Sequence, residues 1–173
     1  QPLTLDIPKC LVKVSNKPIL EEWIDKLIKI KAEKILINTH YKAKQVEDFI
    51  KTQDQKGIQI DTTYESELLG TAKTLIINKE FFKNAIGILI HVDNYSKINL
   101  EELINAHVNR PQKCLLTMLT FNTENPETCG IIKKDNQGVL KEFFEKDINF
   151  NGNIANGAVY LFDDDFLKWL IKY

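Results

Sequence analysis

The chain has 173 residues, 43% hydrophobic and 27% charged, the make-up of one globular domain able to bury a sizeable core; disorder, collagen and a small disulfide scaffold are excluded. Twenty-three basic against twenty-four acidic residues leave a net charge of -1 with no cationic run, which argues against a nucleic-acid partner. The longest apolar runs, Ile35 to Ile37, Ile86 to Ile90 and Ala158 to Phe162, fall far short of a membrane span, and the first residues lack a signal-peptide core, so a cytoplasmic protein with no membrane partner is expected.

Ile19, Leu20, Trp23, Ile24, Leu27 and Ile28 recur at helical spacing after Pro18 and predict an amphipathic helix over about Pro18 to Lys31. Lys34 to Thr39 is a β-branched run, Tyr41 to Lys51 returns to helical spacing, and Gln59 to Tyr64 alternates as a half-buried strand. Gly70 breaks that strand before a helix at Thr71 to Ile77. Ile86 to Val92 is almost continuously apolar, the pattern of a strand buried on both faces of a parallel sheet. A helix at Leu100 to His107 with Asn99 as N-cap follows.

Past Arg110 the rhythm changes. Cys114 to Thr120, Gly130 to Lys134 and Val139 to Glu145 read as strands, the last two joined through Asp135-Asn136-Gln137-Gly138 as a hairpin. A final strand, Ala155 to Phe162, leads into a helix from about Asp164 to Lys172. The order predicts an α/β fold, a largely parallel central sheet flanked by helices with a small antiparallel annex, in a single domain over 1–173. The start at Gln1 without Met and the stop in mid-helix suggest part of a longer protein.

Cys10, Cys114 and Cys129 form no C-x-x-C pair and have no His at metal-ligand spacing, so buried reduced thiols are expected. Arg110 is the only arginine, so an anion site must rely on lysine charges and backbone N–H groups. Asp93 follows the most apolar strand, where open α/β sheets bind ligands, and is either a ligand for a hard divalent cation or a turn cap. Glu145-Lys146 could hold a hydroxyl and a phosphate or be a solvated ion pair; Lys9, after Pro8, is a phosphate ligand or surface charge. Gly70-Thr71-Ala72, at a strand-helix turn, permits a flat ligand to approach the backbone. His40, His91 and His107 are scattered and read as structural, and no G-x-S-x-G or Cys-His pattern supports nucleophilic hydrolysis.

Taken in order, these pieces resemble the nucleotidyltransferases that join a nucleoside triphosphate to a sugar 1-phosphate and release pyrophosphate. Pro2-Leu3-Thr4 and Pro8-Lys9 are similar to the end of the family's opening motif, whose Gly-rich loop would lie upstream. Leu69-Gly70-Thr71-Ala72 resembles its L-G-T-A segment, and Leu89 to Asn94 its strand ending in G-D, with Val92 where the family usually has Gly. Cys129 to Ile132 resembles the sugar-proximal Y/C-G-V-V, Phe144-Glu145-Lys146 the E-K element, and Ala155 to Tyr160 the strand lining the sugar.

The resemblance implies a Rossmann-like nucleotidyltransferase fold, magnesium as cofactor and, as substrates, a nucleoside triphosphate and a hexose or heptose 1-phosphate. It implies Lys9, Asp93 and Lys146 as the charge-handling residues, with Asp93 on the metal and a second acidic metal ligand downstream of residue 173. Leu69, Gly70 and Thr71 would line the nucleotide; Gly130, Glu145, Lys146 and Asn156 would serve the sugar phosphate. Mannose- and heptose-phosphate enzymes resemble the chain most, which favours GTP. The alternatives are a cytidylyl- or thymidylyltransferase of the same fold, or a non-catalytic domain that binds a nucleotide sugar. A homo-oligomer is compatible with the sequence.

Overall fold

Ser15 and Asn16 both take positive φ, 52° and 70°, which is what a two-residue hairpin turn needs, and they join β1 (Lys13–Val14) to β2 (Lys17–Pro18). Pro18 then opens α1 (Ile19–Lys29), where Glu21 and Glu22 in the first turn and Lys26 and Lys29 in the last complement the helix dipole. Next come β3 (Lys34–Thr39), α2 (Ala43–Lys51), β4 (Gln59–Tyr64), α3 (Thr71–Ile77), β5 (Gly87–Ile90) and α4 (Leu100–Val108). The chain ends with β6 (Leu116–Asn122), β7 (Gly130–Lys134), β8 (Leu140–Glu145), β9 (Ile154–Phe162) and α5 (Asp164–Lys172). These elements come from a computed structural model that describes residues 2–53, 57–145 and 152–172. They group into two units, 1–83 with 92–101 and 167–173, and 84–91 with 102–166.

In the first unit β3 and β4 pair in parallel, from Lys34 opposite Gln59 to Thr39 opposite Tyr64, with α2 as the crossover. Leu20 and Ile24 of α1, Ile35 of β3, Val46 and Ile50 of α2, and Ile58 before β4 form one buried apolar cluster. Cys10, Leu11 and Val92 pack against it from the loops that carry the candidate site. These side chains come from three successive elements and the approach to a fourth, so the cluster is the physical reason the helix, strand, helix rhythm folds back on itself.

In the second unit β9 is the centre. It pairs antiparallel with β5, β6 and β7, and β7 pairs antiparallel with β8. Ala155, Val159, Leu161 and Phe162 of β9 are fully buried, and Ile131 of β7 nearly so. The hairpin from β7 to β8 forms where Asp135 to Gly138 was expected to turn: Gly138 has φ +79° and donates its N–H to the Asp135 carbonyl at 3.0 Å. Asn99 caps α4 as expected, its Oδ1 accepting the Glu101 N–H at 3.0 Å.

The balance of pairing corrects the sequence reading. Among the described residues β3 with β4 is the parallel pair, while β5 pairs antiparallel with β9 and Ile88, Leu89 and Ile90 are half-buried rather than enclosed on both faces. An apolar run records that a strand is covered, but carries no information on the direction of its partner.

No helix among the described residues is long and apolar enough to cross a membrane. The three cysteines are free and half-buried, and burial, followed by the charge of Asp93, pushes the Cys10 thiol above its ordinary pKa. His107 is structural, as expected: it is fully buried, its Nδ1 meets Thr117 Oγ1 at 2.9 Å, and burial holds its pKa below the usual value.

Candidate active site

Lys9 and Asp93, 84 positions apart in sequence, meet in the first unit: the ammonium nitrogen lies 3.6 Å from Asp93 Oδ2. Pro8 is buried in extended conformation, and its carbonyl accepts the Leu11 N–H at 2.9 Å, so a single tight turn lifts Lys9 outward while Leu11 faces the core. Asp93 stands three residues beyond β5, flanked by Val92 in the apolar cluster and by Asn94, whose carbonyl accepts the Trp23 indole N–H at 3.0 Å. The bulk of Val92 is absorbed by the core. Side-chain exposures of 71% for Lys9 and 46% for Asp93 leave this ion pair weak and open to exchange with an anionic ligand.

The Leu69-Gly70-Thr71 segment belongs to the same unit, between β4 and α3. Gly70 sits at φ +80° and ψ 156°, a conformation open essentially to glycine, and a Cβ placed there would meet nothing within 4 Å. The backbone here is thus strained for other residues yet bare of covering atoms. A cavity of about 280 Å³ opens alongside, with Tyr64, Glu65, Ser66, Leu69, Ile77 and Asn78 among its lining.

Glu65 is the residue that holds this loop, and sequence reasoning missed it. Only 7% exposed, its carboxylate accepts the Leu69 N–H at 3.2 Å and the Thr74 hydroxyl, which ties the loop to the first turns of α3. Its own N–H donates to the Thr39 carbonyl at 2.9 Å, and its carbonyl meets His40 Nδ1 at 2.7 Å. The Thr74 hydrogen bond leads the influences that hold the Glu65 carboxyl below the ordinary glutamate range, with Leu69, Asn38 and His40 acting the same way against the cost of burial. In sequence Glu65 is one more acid in a polar stretch; the one available signal is its position at the end of a strand just before Gly70.

In the second unit the sugar-side candidates fall into one row. Gly130 is the register partner of Glu145 across β7 and β8, and Ile131 pairs with Ala155 across β7 and β9, so Asn156 stands next to Gly130 one step along the antiparallel register. A Cβ at Gly130 would come within 2.6 Å of the Phe143 ring and 3.0 Å of Glu145 Oε2. Glycine there keeps open the space beside the carboxylate. Asn156 sits at an irregularity of β9, where Thr120 pairs with Asn156 but Met118 pairs with Tyr160. Its Oδ1 accepts the Ala158 N–H at 2.9 Å, and its Nδ2 donates to the Tyr160 hydroxyl at 2.6 Å, so the carboxamide has a defined orientation. Lys146, the remaining sugar-phosphate candidate, lies outside the described residues.

A magnesium ion demands hard oxygen ligands, keeps much of its water, and needs only one or two carboxylates when phosphates complete its shell. The exposed carboxylate of Asp93 offers one such hard oxygen, which now faces the Lys9 ammonium at 3.6 Å and would have to exchange it for the ion. Among the described residues no cluster of three or more His, Cys, Asp or Glu forms a protein-only cage.

The Lys9–Asp93 pair and the bare Gly70 turn lie in the first unit, and the row of Glu145, Gly130 and Asn156 lies in the second. The sequence model of the nucleotidyl transferase family matches residues 1–173, and the chain belongs to that family. It is similar to the mannose-1-phosphate guanylyltransferase catalytic subunit beta of Drosophila pseudoobscura pseudoobscura, 29% identical over 171 residues, which covers 97% of this chain and 46% of that protein. The same subunit of Drosophila melanogaster is 29% identical over 170 residues, covering 96% and 46%. The chain thus spans about half the length of these relatives.

Among solved structures, HddC from Yersinia pseudotuberculosis complexed with GMP-PN superposes with a TM-score of 0.78 at 21% identity, covering 97% of this chain and 71% of that one. A Bacillus anthracis protein assigned as a glucose-1-phosphate thymidylyltransferase, in complex with sucrose, gives 0.84 at 22%, covering 97% and 68%. At these identities the likeness establishes the fold, which is the Rossmann-like nucleotidyltransferase fold.

Proposed function

We propose that the chain belongs to an enzyme that transfers a guanylyl group from GTP to a sugar 1-phosphate, a hexose or heptose, with release of pyrophosphate. The observation that carries this is the 3.6 Å pairing of Lys9 with Asp93, which gathers an anion-binding charge and a cation-binding carboxylate on exposed, core-anchored turns. The guanylyltransferase relatives support GTP, and the row of Glu145, Gly130 and Asn156 supports a hydroxyl-rich acceptor.

A sugar phosphate is already a competent nucleophile, so the protein's task is alignment and charge neutralisation rather than proton removal. Lys9 exchanges Asp93 for the triphosphate, and Asp93 would hold a magnesium ion, which would supply positive charge against the phosphates. Bare backbone at Gly70 lets the nucleobase approach the loop that Glu65 fixes, beside the cavity at the end of β4. Glu145 accepts from sugar hydroxyls, and the Asn156 carboxamide, oriented by Ala158 and Tyr160, completes their recognition. Lys146 is assigned to the sugar phosphate by its place after Glu145 in the sequence.

The test is pyrophosphate release by the full-length protein from GTP, dTTP, CTP and UTP, each with mannose 1-phosphate and a heptose 1-phosphate. GTP is expected to dominate, Lys9→Ala to raise the KM for nucleotide, and Lys146→Ala the KM for sugar phosphate. Equal use of all four nucleotides would remove the guanine assignment. Binding of a nucleotide sugar without turnover would establish the non-catalytic alternative.

A further inference from the structure

Asp93 is exposed, yet the backbone on either side of it is held. One residue earlier, Val92 packs against the apolar cluster built on Leu20 and Ile24 of α1. One residue later, the Asn94 carbonyl receives the indole N–H of Trp23 at 3.0 Å. Trp23 is 2% exposed, on the same apolar face of α1 as Leu20 and Ile24. A buried indole has one donor, which needs an acceptor, and this one reaches 71 positions along the chain for a loop carbonyl.

We propose that Trp23 is a positioning residue for the Asp93 carboxylate. Its N–H on the Asn94 carbonyl, together with Val92 in the core, brackets Asp93 between two fixed points and sets the direction in which the carboxylate meets Lys9 and a metal-bound triphosphate. The proposal rests on the reading of Asp93 as the cation-holding carboxylate.

Replacing Trp23 in the full-length protein by benzothienylalanine, site-specifically, puts sulfur where the N–H was and keeps the ring shape, so folding is preserved while the hydrogen bond is lost. The readout is the affinity for manganese in the presence of GTP, followed by electron paramagnetic resonance, with GTP binding in chelator as the metal-free control. Loss of one such hydrogen bond is expected to weaken manganese binding about threefold to tenfold, with metal-free GTP binding unchanged. 5-Fluorotryptophan, which keeps the N–H, should restore the wild-type affinity. In an Asp93→Asn background the replacement should add no further loss.

Wild-type manganese affinity in the benzothienylalanine protein, or the same additional loss in the Asp93→Asn background, overturns the role of Trp23 alone, provided Asp93→Asn itself binds manganese measurably but more weakly than wild type. Undiminished manganese binding by Asp93→Asn overturns the reading of Asp93, and the role of Trp23 with it.

Discussion

Glu65→Gln tests whether a buried carboxylate sets the nucleotide loop. In the wild-type protein the carboxylate accepts from both the Leu69 N–H and the Thr74 hydroxyl, and the same hydroxyl oxygen lies 3.1 Å from the Gly70 carbonyl. Glutamine can keep its oxygen on the Leu69 N–H and donate its amide to Thr74 Oγ1, after which the hydroxyl proton turns to the Gly70 carbonyl. Both contacts survive, but without the strengthening that an ionised acceptor gives, so the expected cost is about 1–2 kcal/mol. Glu65→Leu strands the Leu69 N–H beside an apolar side chain, and about 3–6 kcal/mol is expected by adding the two lost charged hydrogen bonds.

The pH dependence has a definite sign. The folded-state pKa of Glu65 is lowered, so its contribution is fully present above the unfolded-state value, roughly 4.3, and is lost as pH falls through the lower folded value. Urea denaturation of the full-length protein between pH 3 and 7 should therefore show a wild-type decline at the acid end that is shallower in Glu65→Gln. Calorimetry at pH 7 should show weaker GTP binding in the variant, because the loop carrying Gly70 is less firmly held. Wild-type stability, acid profile and GTP affinity together in Glu65→Gln would refute the reasoning.

Gly130→Val places a branched side chain against Phe143 and Glu145; it should raise the KM for sugar phosphate several-fold, leave that for nucleotide unchanged, and cost about 1–3 kcal/mol of stability. Steady-state kinetics with either substrate varied, plus a melting curve, read both effects. Gly70→Ala meets no steric neighbour, so its cost should be that of the backbone alone, about 1–3 kcal/mol, and a denaturation midpoint equal to wild type would show that the turn relaxes. His107 is held neutral by burial, its folded pKa lying below the unfolded value of about 6.5; its contribution is present above that pH and lost as pH falls toward the folded value. Hydrogen exchange or denaturation should accordingly show the second unit loosening below about pH 6.5, and His107→Leu should flatten that slope.

How far the sequence determines this protein depends on the range of the interactions concerned. Lys34–Thr39, Gln59–Tyr64, Thr71–Ile77, Gly130–Lys134 and Asp164–Lys172 were legible to the residue, because side-chain period, β-branching and a glycine break act within one element. The family was also legible, because its motifs are read by identity and order. Pairing was not: the apolar run before Asp93 reads the same whichever way its neighbour runs, and only the structure places it antiparallel to β9. The row of Glu145, Gly130 and Asn156 depends on the register of three strands, and the meeting of Lys9 with Asp93 on two turns anchored to one core. Glu65 and Trp23 are invisible for the same reason. Their polar atoms have meaning only through partners that folding supplies: Leu69 and Thr74 for one, the carbonyl of Asn94 for the other.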